Sequence, residues 1–121
     1  MQLDIKLYGI LVTDNDEILL KNGKKLSLPG RNIILGNDLT ESIKTIIRED
    51  TNVNLVDIIL FDQKSIIEEN THTLGIFFIG TFYKKDIERI NQNYKWCKIK
   101  KIDYTKVDEF SKFIIEQIIS N

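Results

Sequence analysis

The sequence of 121 residues contains one cysteine, one proline and one histidine, and it has no alanine. The single cysteine, Cys97, excludes an internal disulfide and a zinc site built from cysteines. The longest uninterrupted apolar runs, such as Ile58–Phe61 and Ile76–Ile79, are too short to span a bilayer. The first ten residues have no basic stretch followed by a long apolar one, so we predict no secretory signal and expect a cytoplasmic protein.

The sequence also lacks an excess of charge of either sign. It has 17 Lys and Arg residues against 18 Asp and Glu residues, for a net charge of −1. Nothing global therefore attracts the protein to nucleic acid or to an anionic membrane, and we expect neither as a partner. With 42% hydrophobic and 29% charged residues, the composition is that of a globular domain, and the length favours one domain covering residues 1–121.

Hydrophobic patterning predicts a mixed α/β protein. Apolar segments rich in β-branched and aromatic residues predict strands, and these are Ile5–Thr13, Glu17–Lys21, Lys25–Leu28, Val53–Glu68, His72–Lys85 and Tyr94–Ile102. Apolar residues at helical spacing predict helices over Gly36–Thr51 and Val107–Ser120. The resulting order, strands then helix then strands then helix, is typical of a sheet with helices packed in layers.

The first predicted helix has recognisable ends. Asp38 followed by Glu41 matches a capping box, and Asn52 occupies the position expected of a C-terminal cap. Between them, one apolar stripe is formed by Leu39, Ile43, Ile46 and Ile47. The stripe predicts that this helix packs against the sheet with Ile46 in its buried face.

The segment from Leu28 to Val53 is similar to the Nudix box, written G-x5-E-x7-R-E-U-x-E-E-x-G-U, where U is a bulky aliphatic residue. The Leu-Pro-Gly-Gly prelude usual in that family corresponds here to Leu28–Arg31, with Arg31 in place of the second Gly. A register that takes Arg48-Glu49 as the Arg-Glu pair needs a three-residue insertion, so we prefer the ungapped one. The order of predicted elements agrees with a Nudix domain over nearly the whole chain.

In the ungapped register several box positions carry unusual residues. Asn37 stands at the first glutamate, and Thr45 and Ile46 stand at the Arg-Glu pair. Only the later acidic pair is retained, as Glu49 and Asp50. In the family, the Glu after Arg and the second Glu of the later pair lie four residues apart on one helix face and hold a metal ion. The replacement of that first Glu by Ile46 removes an oxygen ligand that Mg²⁺ requires.

The resemblance implies a Nudix-type α/β/α sandwich with a mixed β-sheet and two main helices. It implies a nucleotide or other diphosphate-containing ligand, with Gly30, Arg31 and Gly36 as candidate ligand-binding residues. It also implies Mg²⁺ or Mn²⁺ at Glu49 and Asp50, held weakly because two of the usual carboxylates are absent. We therefore expect weak or lost hydrolase activity, and no catalytic residue is assigned.

Alternatives remain open at the sequence level. The chain could be an active Nudix pyrophosphohydrolase that uses Glu49 and Asp50 together with displaced carboxylates from Glu68-Glu69 or from Asp86 and Glu88. It could instead be a protein-interaction module that keeps only the scaffold, since fold does not dictate function. Glu49 and Asp50 could be ordinary solvated charges, and Arg31 a surface loop residue. The oligomeric state is open, with a homodimer as one alternative.

Overall fold

A computed structural model of the protein describes residues 1–120. It contains two α-helices, α1 (Leu39–Thr51) and α2 (Glu109–Ser120). Its strands are β1 (Gln2–Ile10), β2 (Glu17–Lys21), β3 (Gly30–Asn32), β4 (Leu55–Glu68), β5 (Thr71–Phe82) and β6 (Tyr94–Lys98). Three short 3₁₀ helices cover Lys84–Arg89, Ile99–Lys101 and Tyr104–Lys106. No helix within residues 1–120 is long and apolar enough to cross a membrane.

The strands form a mixed four-stranded sheet and a smaller two-stranded one. The larger sheet has the order β3-β1-β5-β4, with β1 and β5 parallel and the other pairs antiparallel. The smaller sheet pairs β2 with β6 in antiparallel fashion. A hairpin joins the two sheets, because the Leu19 N–H donates to the Leu11 carbonyl at 3.1 Å. In the order of the large sheet, the short strand β3 is one edge strand and β4 is the other.

Helices cover both faces of the large sheet. Successive residues of a strand point to opposite faces, and in β1 Leu7 packs in one core cluster while Tyr8 packs in the other. The first cluster contains the α1 residues Ile43, Ile46 and Ile47, and the second contains the α2 residues Ile114 and Ile115. This arrangement is the α/β/α sandwich with a mixed sheet and two main helices that the sequence predicts.

The ends of α1 confirm the predicted caps. The Asp38 carboxylate accepts a hydrogen bond from the Glu41 N–H at 2.8 Å, and Asn52 adopts the left-handed conformation at φ 70°. The helix begins at Leu39 and not at Gly36, because Asp38 is extended and acts as the cap. Gly36 lies in the preceding turn with φ +90°. The predicted start was therefore three residues too early.

Two predicted strands differ most from those observed, whereas the bounds of the others shift by three residues or fewer, as in β1, which was predicted over Ile5–Thr13. Lys25–Leu28 forms only isolated bridges, Lys21 with Ser27 and Leu26 with Val107, and the short strand that pairs with β1 comes later, at Gly30–Asn32. The last predicted strand ends at Lys98, where the chain turns into a 3₁₀ helix. The long strand after α1 is present, and its pairing with β5 contains register shifts.

Candidate ligand-binding site

An ion-paired arginine joins β3 to the last turn of α1. Arg31, opposite Leu7 in the β1–β3 register, donates from Nε to Oδ2 of Asp50 at 3.2 Å and from Nη2 to Oε1 of Glu49. Glu49 is exposed, Asp50 is half-buried, and the Arg31 side chain is 41% exposed. The two retained box carboxylates therefore already share a cation that belongs to the chain itself.

The charges of this group affect one another and a neighbouring phenol. Partial burial alone would lower the pKa of Arg31, but hydrogen bonds with Glu49 and Asp50 and their negative charges outweigh burial and raise it. Burial and the charge of Asp50 raise the pKa of Tyr94 to about 12, against the opposing effect of Arg31. Tyr94 begins β6 and pairs with Lys21 at the end of β2. The small sheet thus reaches the ion-paired group.

Arg31 is also one of the residues that line a pocket of about 680 Å³. Its polar lining comes from the three strands β1, β2 and β3 and from connecting segments, and includes Lys6, Tyr8, Lys21, Ser27, Arg31 and Asp108. The Tyr8 ring is held by stacking on Phe77 at 5.1 Å between ring centroids. The Asp108 carboxylate accepts from the Ser111 N–H at 2.8 Å, so its charge is partly offset by the N-terminus of α2. Three cationic residues and one capping carboxylate therefore line the pocket, and the Arg31 side chain, paired with Leu7, lies towards the α1 face of the sheet.

The residues at this site do not fit the metal set of the Nudix box. Ile46 is 0% exposed in the core and has no oxygen to offer, and Asn37 is exposed in the turn before α1. Hard cations such as Mg²⁺ take several oxygen ligands, chiefly carboxylates. Within residues 1–120 no three His, Cys, Asp or Glu side chains converge to hold a metal ion. Glu49 and Asp50, both bound to Arg31, are the acidic residues that the box helix presents here.

The structure brings together some of the residues named from the sequence and separates others. Gly30 and Arg31 line the pocket, and Arg31 links it to Glu49 and Asp50. Gly36 does not line it and lies exposed in the turn that precedes α1. Thr45 is half-buried on α1 beside the buried Ile46.

The proposed displaced carboxylates do not lie with this group. Asp86 is buried and accepts a hydrogen bond from the Asn54 N–H at 3.0 Å, which gives it a structural role. Glu68 and Glu69 lie at the turn between β4 and β5, and β4 is the edge strand opposite β3. Lys6, Lys21 and Asp108 were not identified from the sequence, because only strand register and tertiary packing bring them to one pocket.

Tyrosine ionisation should report on this site at high pH. The pKa values of Tyr8 and Tyr94 are both raised to about 12, above the ordinary value of 10, chiefly by burial. A folded pKa above the unfolded one stabilises the protonated folded state, so this stability is complete below about pH 10 and is lost as pH rises towards 12. We expect absorbance at 295 nm to show late titration of Tyr8 and Tyr94, together with Tyr104, whose pKa is also raised by burial. Asp50→Asn should lower the pKa of Tyr94 only. Ionisation of Tyr8 and Tyr94 near pH 10 in the folded protein would contradict the placement.

Comparison with known proteins gives structural likeness without sequence likeness. Neither family models nor curated proteins match the sequence. The structure is similar to that of a MutT NUDIX hydrolase from Burkholderia pseudomallei, at TM-score 0.80 and 16% identity, covering 98% of this chain and 99% of that one. It is similar to a NUDIX hydrolase from Nitrosomonas europaea, at TM-score 0.80 and 18% identity over 98% and 90% of the two chains.

A MutT protein from Methanosarcina mazei Go1 gives the same result, with TM-score 0.80, 17% identity and coverage of 98% and 94%. At these identities the likeness establishes the fold and leaves the activity open. The agreement extends over nearly the entire length of each chain, so it includes both helices and both sheets. The chain therefore has the fold of the Nudix hydrolases.

Proposed function

We propose that this chain binds a nucleotide or another diphosphate-containing ligand in the 680 Å³ pocket and hydrolyses it weakly or not at all. The observation that carries the proposal is the lining of that pocket by Lys6, Lys21 and Arg31, beside the Leu-Pro-Gly segment. The Nudix fold supports a ligand of this class. The buried Ile46 and the pairing of Glu49 and Asp50 with Arg31 support the reduced hydrolysis.

The lining residues suit a phosphate-bearing ligand chemically. Lysine supplies a compact charge with three rotatable donors, and arginine supplies a planar fork that matches two phosphate oxygens. Ser27 adds a hydroxyl that donates or accepts, and Tyr8 is a further lining residue. A diphosphate group against the cations, with the rest of the ligand towards Tyr8, uses each of these groups.

Removal of one cation tests the proposal. We expect Lys21→Met to weaken binding of ADP and of inorganic pyrophosphate by about tenfold, since a charged hydrogen bond to phosphate contributes about 1.4 kcal/mol or more. Isothermal titration calorimetry measures both ligands. Lys25→Met is the matched control, because Lys25 is exposed and does not line the pocket. Equal affinity in the two variants, or no binding by the unmodified protein, would refute the proposal.

The hydrolase alternative is decided by a separate assay. Phosphate release from nucleoside diphosphate-linked substrates in Mg²⁺ is expected to stay at background. A clear rate that Glu49→Gln abolishes would establish an enzyme that uses this carboxylate.

An interaction module is the second candidate, and the edge strand β4 favours it. Ile59 is 69% exposed on this strand, and Leu60 and Ile67 are exposed to a similar degree. Exposed apolar side chains on an unpaired strand edge are typical of association sites. A concentration-dependent dimer in size-exclusion chromatography that Ile59→Lys abolishes would support this role.

A further inference from the structure

The loop between Lys21 and Ser27 presents an asparagine followed directly by a glycine. Lys21 and Ser27 form an isolated antiparallel bridge that closes the loop, with two main-chain hydrogen bonds of 2.7 and 3.3 Å. Asn22 and Gly23 are both exposed at the start of this loop. No other asparagine of the sequence precedes a glycine, so this pair of residues occurs once in the chain.

The side chain of Asn22 and the main-chain nitrogen of Gly23 are not held by other groups. Within residues 1–120, neither the Asn22 side-chain amide nor the Gly23 N–H makes a hydrogen bond. Within 4 Å, a Cβ atom added to Gly23 would meet one atom, the Lys25 carbonyl oxygen at 3.3 Å. The main chain is anchored just before, where the Asn22 N–H donates to the Asn93 carbonyl at 2.8 Å. The two groups can therefore approach each other by rotation about the bonds of Asn22, with no hydrogen bond to break.

We propose that Asn22-Gly23 is a site of spontaneous deamidation in the folded protein, with water as the only co-reactant. In the first step the Gly23 main-chain nitrogen attacks Cγ of Asn22 and closes a five-membered succinimide. The C–N bond of the side-chain amide breaks, and its nitrogen leaves as ammonia with the proton of the Gly23 N–H. In the second step water adds to either carbonyl of the ring and breaks its bond to the ring nitrogen, which gives isoaspartate or aspartate. Glycine favours the attack because it has no Cβ atom to crowd its nitrogen.

Both products change the end of β2. They carry a carboxylate at position 22 in place of a neutral amide, directly after Lys21, which lines the pocket of about 680 Å³. Isoaspartate also adds a methylene group to the main chain between Lys21 and Gly23. A negative charge next to Lys21 opposes an anionic ligand, so we expect deamidation to lower the affinity for pyrophosphate. This consequence rests on the proposed function, whereas the modification itself depends on the loop alone.

Deamidation is measured by incubating the folded protein in mildly alkaline buffer, which favours the deprotonated Gly23 nitrogen, and mapping its peptides by mass spectrometry. We expect the mass gain of deamidation at Asn22 before any other asparagine, with isoaspartate among the products. Asn37 is the internal control, because it is also exposed in a turn but precedes Asp38 instead of a glycine. Gly23→Ala should slow the reaction at Asn22 by about tenfold, because the added Cβ atom crowds the attacking nitrogen. Deamidation at Asn37 as fast as at Asn22 overturns the proposal.

The contribution of the loop is tested against the same chain unfolded in urea. Because the fold leaves the two groups without other contacts, the rate at Asn22 in the folded protein should lie within about tenfold of the rate in the unfolded chain. Stronger protection by the fold overturns the proposal, since it would show that the loop keeps the two groups apart.

The consequence for binding is tested with Asn22→Asp, which carries the charge of the product from the start. It should bind inorganic pyrophosphate about threefold more weakly than the unmodified protein, whereas the neutral Asn22→Gln should bind with unchanged affinity. Equal affinity in the two variants overturns the expected effect of deamidation on the pocket. Failure of the unmodified protein to bind pyrophosphate refutes the proposed function, while the peptide maps still decide whether Asn22 deamidates.

Discussion

Ile46→Glu, alone or combined with Thr45→Arg, is expected to lower the melting temperature by about 10 °C or more without creating a metal site. Ile46 is fully buried against β1 and β2 in the core cluster that contains Leu7 and Leu19. A carboxyl there loses its hydration and finds no partner, so it either stays protonated or carries an unpaired charge. The loss of packing and the desolvation together cost about 3–5 kcal/mol, and each kcal/mol corresponds to roughly 3–5 °C for a domain of this length.

Thr45→Glu provides the comparison for that experiment. It introduces the same charge one residue earlier on α1, at a half-buried position, and should change the melting temperature far less. Calorimetric unfolding measures the melting temperature of each variant, and Mn²⁺ titration measures its affinity for the metal. If Ile46→Glu kept its melting temperature and gained tight Mn²⁺ binding, position 46 would face the site and the assignment of this side chain to the core would be wrong.

The elements that could be predicted from the sequence are those whose signals are local. The α1 caps depend on Asp38 and Asn52, which act within four residues of their partners. The buried stripe that includes Ile46 follows from helical periodicity alone. The spacing between the Leu-Pro-Gly segment and the acidic pair was enough to indicate the Nudix fold, which the structure has.

The pocket could not be predicted in the same way, because its residues meet through register and packing. Lys6 comes from the middle of β1 and Lys21 from the end of β2, and no sequence spacing connects either of them with Arg31. The position of β3 decides where Arg31 lies, and the sequence predicted a strand before Pro29 and not after it. The residues before Pro29 have the stronger apolar pattern, yet Gly30–Asn32 takes the edge of β1.

Gly30→Ala is expected to destabilise the protein by about 2–4 kcal/mol and to remove the ion pair between Arg31 and the box carboxylates. Gly30 lies opposite Tyr8 in the register of β1 and β3. A Cβ atom at this position would overlap the Leu7 carbonyl oxygen and lie 2.6 Å from Cδ1 and 3.0 Å from Cα of Tyr8. Backbone atoms cannot rotate away, so β3 would have to move from β1 and take Arg31 with it.

Gly36→Ala separates this effect from ordinary backbone strain. Gly36 has φ +90° but nothing lies within 4 Å of an added Cβ atom, so the change should cost about 1 kcal/mol through conformation alone. Both glycines were candidate ligand-binding residues in the sequence, and only Gly30 lines the pocket. We therefore expect Gly36→Ala to bind pyrophosphate with unchanged affinity and Gly30→Ala to lose affinity together with stability. Equal melting temperatures for the two variants would show that β3 does not approach β1 closely enough for Gly30 to be required.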